Sequence, residues 1–201
     1  MKKYIPLLVL AVFMARCNFE TPTQFSNEAN ATVLNSLSGD KATFKAVIAQ
    51  YKGKKVFIDI WASWCADCIK GMPTIKRLQS EFPEVVFLFL SVDKKNSAWK
   101  KGIQRFQMNG EHYNIPTGMR NSALVDFLNL SWIPRYMVID EMGAISLFKA
   151  TNSSDKSILT ASGKGSKVVM LLVSVHADEV FNLIQQCIGR GSHQSAPSAR
   201  G

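Results

Sequence analysis

Apolar positions along the chain follow two periods. Between Thr43 and Tyr51, residues Phe44, Val47, Ile48 and Tyr51 recur at helical spacing, and Gly53 supplies the terminator. Val56 to Trp61 is a short apolar run and predicts a buried strand. From Ala66 to Ser80 the helical period returns, with Ile69, Met72, Ile75 and Leu78 on one stripe and Pro83 stopping it. Val85 to Val92 is continuously apolar, the mark of a central strand covered on both faces. Strand, helix and strand in that order make a βαβ unit, whose right-handed crossover sets the strands parallel. A second helix is predicted over Ser97 to Met108, and a short third over Asn121 to Leu130. Tyr136 to Asp140 reads as a strand that turns through Glu141-Met142-Gly143 into Ala144 to Ala150. Ala177 to Ile188 closes the pattern as an amphipathic helix with Val180, Phe181, Ile184 and Cys187 in register. The whole is an α/β domain with a central mixed sheet flanked by helices.

The two ends follow neither period. Lys2-Lys3 followed by the apolar stretch Ile5 to Ala15 has the form of an export signal, too short for a comfortable membrane span. Cys17 stands where bacterial lipoproteins are cleaved and lipidated, but Arg16 replaces the small residue such signals carry. A lipid anchor at Cys17, a plain secretory signal and an uncleaved N-terminal anchor therefore all stay open. The expected organisation is a signal at 1–17, a polar tether at 18–32, one domain at 33–188 and a Gly/Ser/Ala-rich disordered tail at 189–201. An exported location, periplasmic or in the cell envelope, follows from the signal.

Composition changes this picture little. With 201 residues, 47% hydrophobic and 19% charged, the chain can bury one ordinary core. Its net charge of +9 falls to +6 without the leader's Lys2, Lys3 and Arg16. The basic residues are scattered and not interleaved with aromatics, which argues against nucleic acid and for a solvated surface with some attraction to anionic lipid or acidic partners.

Of four cysteines, Cys65 and Cys68 alone form a C-x-x-C pair. A single pair, with no histidine at ligand spacing, does not make a zinc site, so no metal is expected. It lies at the junction of a predicted strand and helix within a βαβ unit, the arrangement of redox pairs. A helix N-terminus presents unpaired N–H groups and a partial positive charge, which favour a thiolate at Cys65. Cys68 sits one turn further in. Cys187 reads as a small buried residue, Trp61, Trp99 and Trp132 as packing residues, and His112, His176 and His193 as surface residues.

Three separated motifs resemble the thioredoxin superfamily, and within it the exported TlpA/ResA-like thiol-disulfide oxidoreductases. They are Asp59-Ile60-Trp61-Ala62-Ser63-Trp64-Cys65-Ala66-Asp67-Cys68, Met72-Pro73, and Trp132-Ile133-Pro134-Arg135-Tyr136-Met137-Val138-Ile139-Asp140 with Gly143 after it. The resemblance covers Val33 to Ala150 and implies a thioredoxin-like fold. It implies Cys65 as attacking thiolate, Cys68 as resolving thiol and Asp59 as a buried acid beneath the pair. It further implies a cis bond at Pro134, a substrate strand paired with the backbone of Ile133, and contacts to the substrate from Trp64, Ala66 and Asp67. Protein disulfides or dithiols would be the substrates, and a membrane-embedded electron donor the partner. The redox group would be the Cys65–Cys68 disulfide itself, with no flavin or nicotinamide, and the chain would act as a monomer.

Two departures from the family carry consequences. Asp67 stands where thioredoxins have proline, and an acid at that place opposes thiolate formation, which favours a reductant. Gly71 stands where the family often carries an acid. A thiol peroxidase on the same fold and a non-catalytic binding module are the competing readings. The peroxidase loop, Pro-x-x-x-Thr/Ser-x-x-Cys, does not occur here, and the intact Trp-Cys-x-x-Cys speaks against the module.

Overall fold

A computed structural model describes residues 21–164. In chain order the elements are α1 (Asn27–Asn30), β1 (Val33–Ser36), β2 (Lys41–Thr43), α2 (Phe44–Ala49), β3 (Val56–Trp61), α3 (Ala66–Glu81), β4 (Val86–Ser91), α4 (Asn96–Phe106), β5 (Glu111–Asn114), α5 (Ala123–Phe127), β6 (Arg135–Ile139), β7 (Ile145–Ala150) and α6 (Lys156–Leu159). Seven strands form one mixed sheet in the order β2-β1-β5-β4-β3-β6-β7. The three central strands β5, β4 and β3 are parallel, and the outer pairings are antiparallel.

The β3-α3-β4 unit stands within a residue or two of its expected bounds. Every residue of β3 is buried, as the unbroken apolar run requires. α3 buries Cys68, Gly71, Met72, Ile75 and Leu78, one stripe at helical spacing laid on the sheet. The Glu141–Gly143 turn joins β6 to β7 as expected, with Gly143 at φ 87°.

Other parts depart from expectation. The β1–β2 hairpin and β5 are short and polar and carry no clear strand period, but backbone pairing builds them into the sheet. Part of the expected tether, residues 18–32, is folded. Ser26 caps α1 through a bond from the Ala29 N–H, and Ala29 is fully buried. Phe25 packs edge-on against Phe44. The polar stretch after Ala150 contains α6, capped by Asp155. The helix expected over Ala177–Ile188 lies outside the described residues, as do Cys17, Cys187, His176 and His193.

Candidate active site

Cys65 and Cys68 are joined as a disulfide at the start of α3, with their Cα atoms 5.3 Å apart. Cys65 is the N-cap of that helix. Its backbone is extended, and its sulfur accepts the Cys68 N–H at 3.1 Å. The sulfur thus occupies the place where a helix offers unpaired donors and positive potential, the environment that stabilises a thiolate once the disulfide opens. Cys65 keeps a small exposed surface, whereas Cys68 is almost fully buried. That asymmetry makes Cys65 the more accessible residue of the pair.

The Ile133–Pro134 peptide bond is cis, as the resemblance implies. The Ile133 carbonyl oxygen lies 3.7 Å from the Cys65 sulfur. Trp64 and Trp132, on the two loops that meet here, are 62% and 61% exposed. For Trp132 this corrects the packing role expected from the sequence. The residue precedes the buried Ile133-Pro134 pair on a loop, and its ring turns outward while their side chains are buried. Ala66 and Asp67 form the exposed first turn of α3, and Lys70 reaches the Asp67 carboxylate at 3.2 Å.

Asp59 lies in the middle of β3 and is 1% exposed. It is the register partner of Phe89 on β4 and of Tyr136 on β6, so the three side chains share one face of the sheet. The Tyr136 hydroxyl on that face abuts Gly71 of α3: a Cβ at Gly71 would lie 2.8 Å from it. Asp59 therefore faces the layer of α3, where Cys68 sits one turn before Gly71. Asp59 Oδ1 meets no hydrogen-bond partner among the described residues. Burial without a partner pushes its carboxyl up to about 8. Tyr136 is shifted upward too, by its own burial first and by the Asp59 charge second.

Two features escaped sequence reasoning. His112, expected at the surface, is buried and stacks on Phe89 with ring centroids 5.1 Å apart. Its register partner is Phe89, which extends the Asp59 row across β5, and burial lowers its pKa. Asp93 is 2% exposed and anchors the active-site loop. Its carboxylate accepts from the Ser63 N–H at 2.9 Å, the Ser63 hydroxyl at 2.7 Å and the Ser91 hydroxyl at 2.9 Å. A signal for this contact was available. In the parallel β3–β4 register Trp61 faces Ser91, and two residues further along both strands Ser63 meets Asp93.

Comparison with known proteins agrees with this geometry. The sequence model described as Thioredoxin-like matches residues 53–145. The thiol-disulfide oxidoreductase ResA of Bacillus thuringiensis subsp. konkukian is 30% identical over 129 residues, spanning 63% of this chain and 69% of the relative. The chain belongs to the thioredoxin-like family of thiol-disulfide oxidoreductases. The thioredoxin-like protein YneN of Bacillus subtilis is 28% identical over 132 residues, 63% of this chain and 71% of its own. Among solved structures, a thiol-disulfide oxidoreductase of Bacteroides fragilis superposes with a TM-score of 0.55 at 19% identity, covering 67% of this chain and 98% of that one, and shares the fold. The disulfide-linked Cys65–Cys68 pair at the start of α3 fits the redox centre of a thiol-disulfide oxidoreductase on a thioredoxin-like fold.

Proposed function

We propose that the protein is a reductase of protein disulfides in the bacterial cell envelope, of the type that serves cytochrome c maturation. The observation that carries the reading is the placement of Cys65 as the reachable N-cap of α3, its sulfur bonded by the Cys68 N–H at 3.1 Å. In the cycle, the Cys65 thiolate attacks one sulfur of the client disulfide. A mixed disulfide forms and the client's other sulfur leaves as a thiolate. The Cys68 thiol gives its proton to Asp59, and the resulting thiolate attacks the Cys65 sulfur. The client's second thiolate departs, and two electrons have passed from the protein's dithiol to the client. Trp64, Ala66, Asp67 and the Ile133-Pro134 segment form the surface that the client meets. The redox group is the cysteine pair alone. Restoring the dithiol requires an external donor, and a membrane-embedded carrier is the chemistry suited to an oxidising envelope.

The direction rests on Asp67. An acid in the first turn of α3 opposes the Cys65 thiolate, and Lys70 answers part of that charge through an exposed pair of small worth. Location rests on the N-terminal Lys2-Lys3 and the apolar stretch to Ala15. The chain is proposed to act as a monomer, with Cys17 as a lipid anchor where the signal is processed as in lipoproteins.

The test is a pair of cysteine variants with a redox titration. Cys68→Ser accumulates a mixed disulfide with the client, and Cys65→Ser removes insulin reduction. A potential near that of strong disulfide-forming oxidants, about −120 mV, overturns the reductase reading. Resolution of the mixed disulfide quickens as pH rises through about 8, where Asp59 becomes able to accept a proton, and Asp59→Asn removes that inflection.

A further inference from the structure

The sequence scatters its basic residues, but the fold gathers three of them in one groove that reaches Trp64, the residue before Cys65. A groove of about 660 Å³ is lined by Trp64, by Val92 to Lys95 and Ala98, and by Thr117 and Met119 to Asn121. Its walls come from the segments that follow β3, β4 and β5, the three parallel strands. It therefore opens at the carboxyl ends of a parallel set, where α/β sheets leave a crevice. Gly118, at φ 69°, turns the third segment so closely that a Cβ would lie 3.3 Å from the Val92 carbonyl oxygen.

The charge in this groove is one-sided. Lys94, Lys95 and Arg120 are exposed on its rim, and none forms an ion pair among the described residues. Among the described lining residues the one acid is Asp93, whose oxygens are turned inward to Ser63 and Ser91. The two half-buried apolar residues Ala98 and Met119 lie between, and the exposed Trp64 ring forms the wall next to Cys65. A concave site with an aromatic wall and a cationic rim fits a length of chain, not a flat bilayer.

We propose that this groove binds an acidic segment of the client polypeptide beside its disulfide, and so selects which disulfides reach Cys65. The proposal rests on the reading of the protein as a reductase of protein disulfides. Carboxylates of the client pair with Lys94, Lys95 and Arg120 while an apolar client residue packs on Trp64. Selection acts on the encounter and on KM, because long-range attraction concentrates the client without touching the reacting sulfurs.

The test uses the full chain and two synthetic peptides with the same internal disulfide, one flanked by Asp and Glu and the other by Lys. At low ionic strength the acidic peptide is reduced with a kcat/KM roughly tenfold higher, carried by KM, and the ratio falls towards one at about 0.5 M salt. The combined variant Lys94→Gln, Lys95→Gln, Arg120→Gln loses most of that ratio. Equal rates for the two peptides at low salt overturn the proposal, as does a ratio that the variant leaves intact. If neither peptide is reduced, the reductase reading fails instead. The groove is then judged by titrating the acidic peptide with Ser in place of Cys, where salt-sensitive binding that the variant weakens supports it and no binding overturns it. Binding to phosphatidylglycerol vesicles without binding of that peptide makes the rim a membrane surface and likewise overturns the proposal.

Discussion

Asp59 and Asp93 are both buried acids close to the same loop, yet they sit in opposite circumstances. Three donors converge on Asp93, two from Ser63 and one from Ser91, and fasten the loop before Cys65 to the end of β4. Asp59, in the middle of β3, keeps one oxygen without a partner among the described residues and is pushed up to about 8. Burial is nearly the same for the two, so burial does not separate them. Hydrogen bonding does: a satisfied carboxylate is a fastener, and an unsatisfied one is a group ready to exchange a proton near neutrality.

The strongest way to break this contrast is to measure stability against pH. Because burial raises Asp59 above its ordinary 3.8, the folded protein holds a proton there that the unfolded chain has released. Stability from this group is complete below about pH 4 and is lost as pH rises towards 8. Asp59→Asn flattens that slope and stabilises the protein at pH 7 by up to roughly 4 kcal/mol, about three pH units at 1.4 kcal/mol each. Urea unfolding of both proteins between pH 4 and 8 reads the difference, and parallel slopes would falsify the account of Asp59.

Asp93→Ala goes the other way. Removing the acceptor strands the Ser63 N–H and two hydroxyls, so a loss of roughly 3 kcal/mol is expected, together with slower turnover as the loop loosens. A denaturation midpoint unchanged from the parent chain would show that the fastener is idle. Gly71→Ala comes next, at roughly 1–3 kcal/mol of destabilisation, because the new Cβ would lie 2.8 Å from the Tyr136 hydroxyl. Tyr136→Phe should recover part of that loss in a double-mutant cycle, and strict additivity would count against the contact. The smallest effect belongs to Lys70→Gln, which removes an exposed pair with Asp67 and shifts stability by less than about 0.5 kcal/mol. A larger change in thermal midpoint than that implies would mean the pair is more than a surface contact.

How far the sequence could be read varied by element. The β3-α3-β4 unit was legible because its apolar runs are long and periodic, and the cysteine pair because its place at a strand–helix junction follows from them. The β1–β2 hairpin and β5 were not, since four residues such as Glu111-His112-Tyr113-Asn114 carry no period of their own and are held by backbone bonds to neighbours. His112 was misplaced for that reason. Trp132 was misplaced because hydrophobicity alone does not say which way a loop residue faces. The folded part of 18–32 is not legible in the sequence because α1 has four residues, and the burial of its Ala29 depends on what packs against it.

By itself the sequence determined the βαβ unit, the redox pair at its strand–helix junction and the family, because these depend on local period and short motifs. Tertiary structure decided which buried acid is satisfied and which is free, where Trp132 points, and that Lys94, Lys95 and Arg120 share one groove. Those outcomes depend on strand register and loop closure between residues some 25 to 80 positions apart, such as Lys95 and Arg120 or Asp59 and Tyr136, and no local period encodes them.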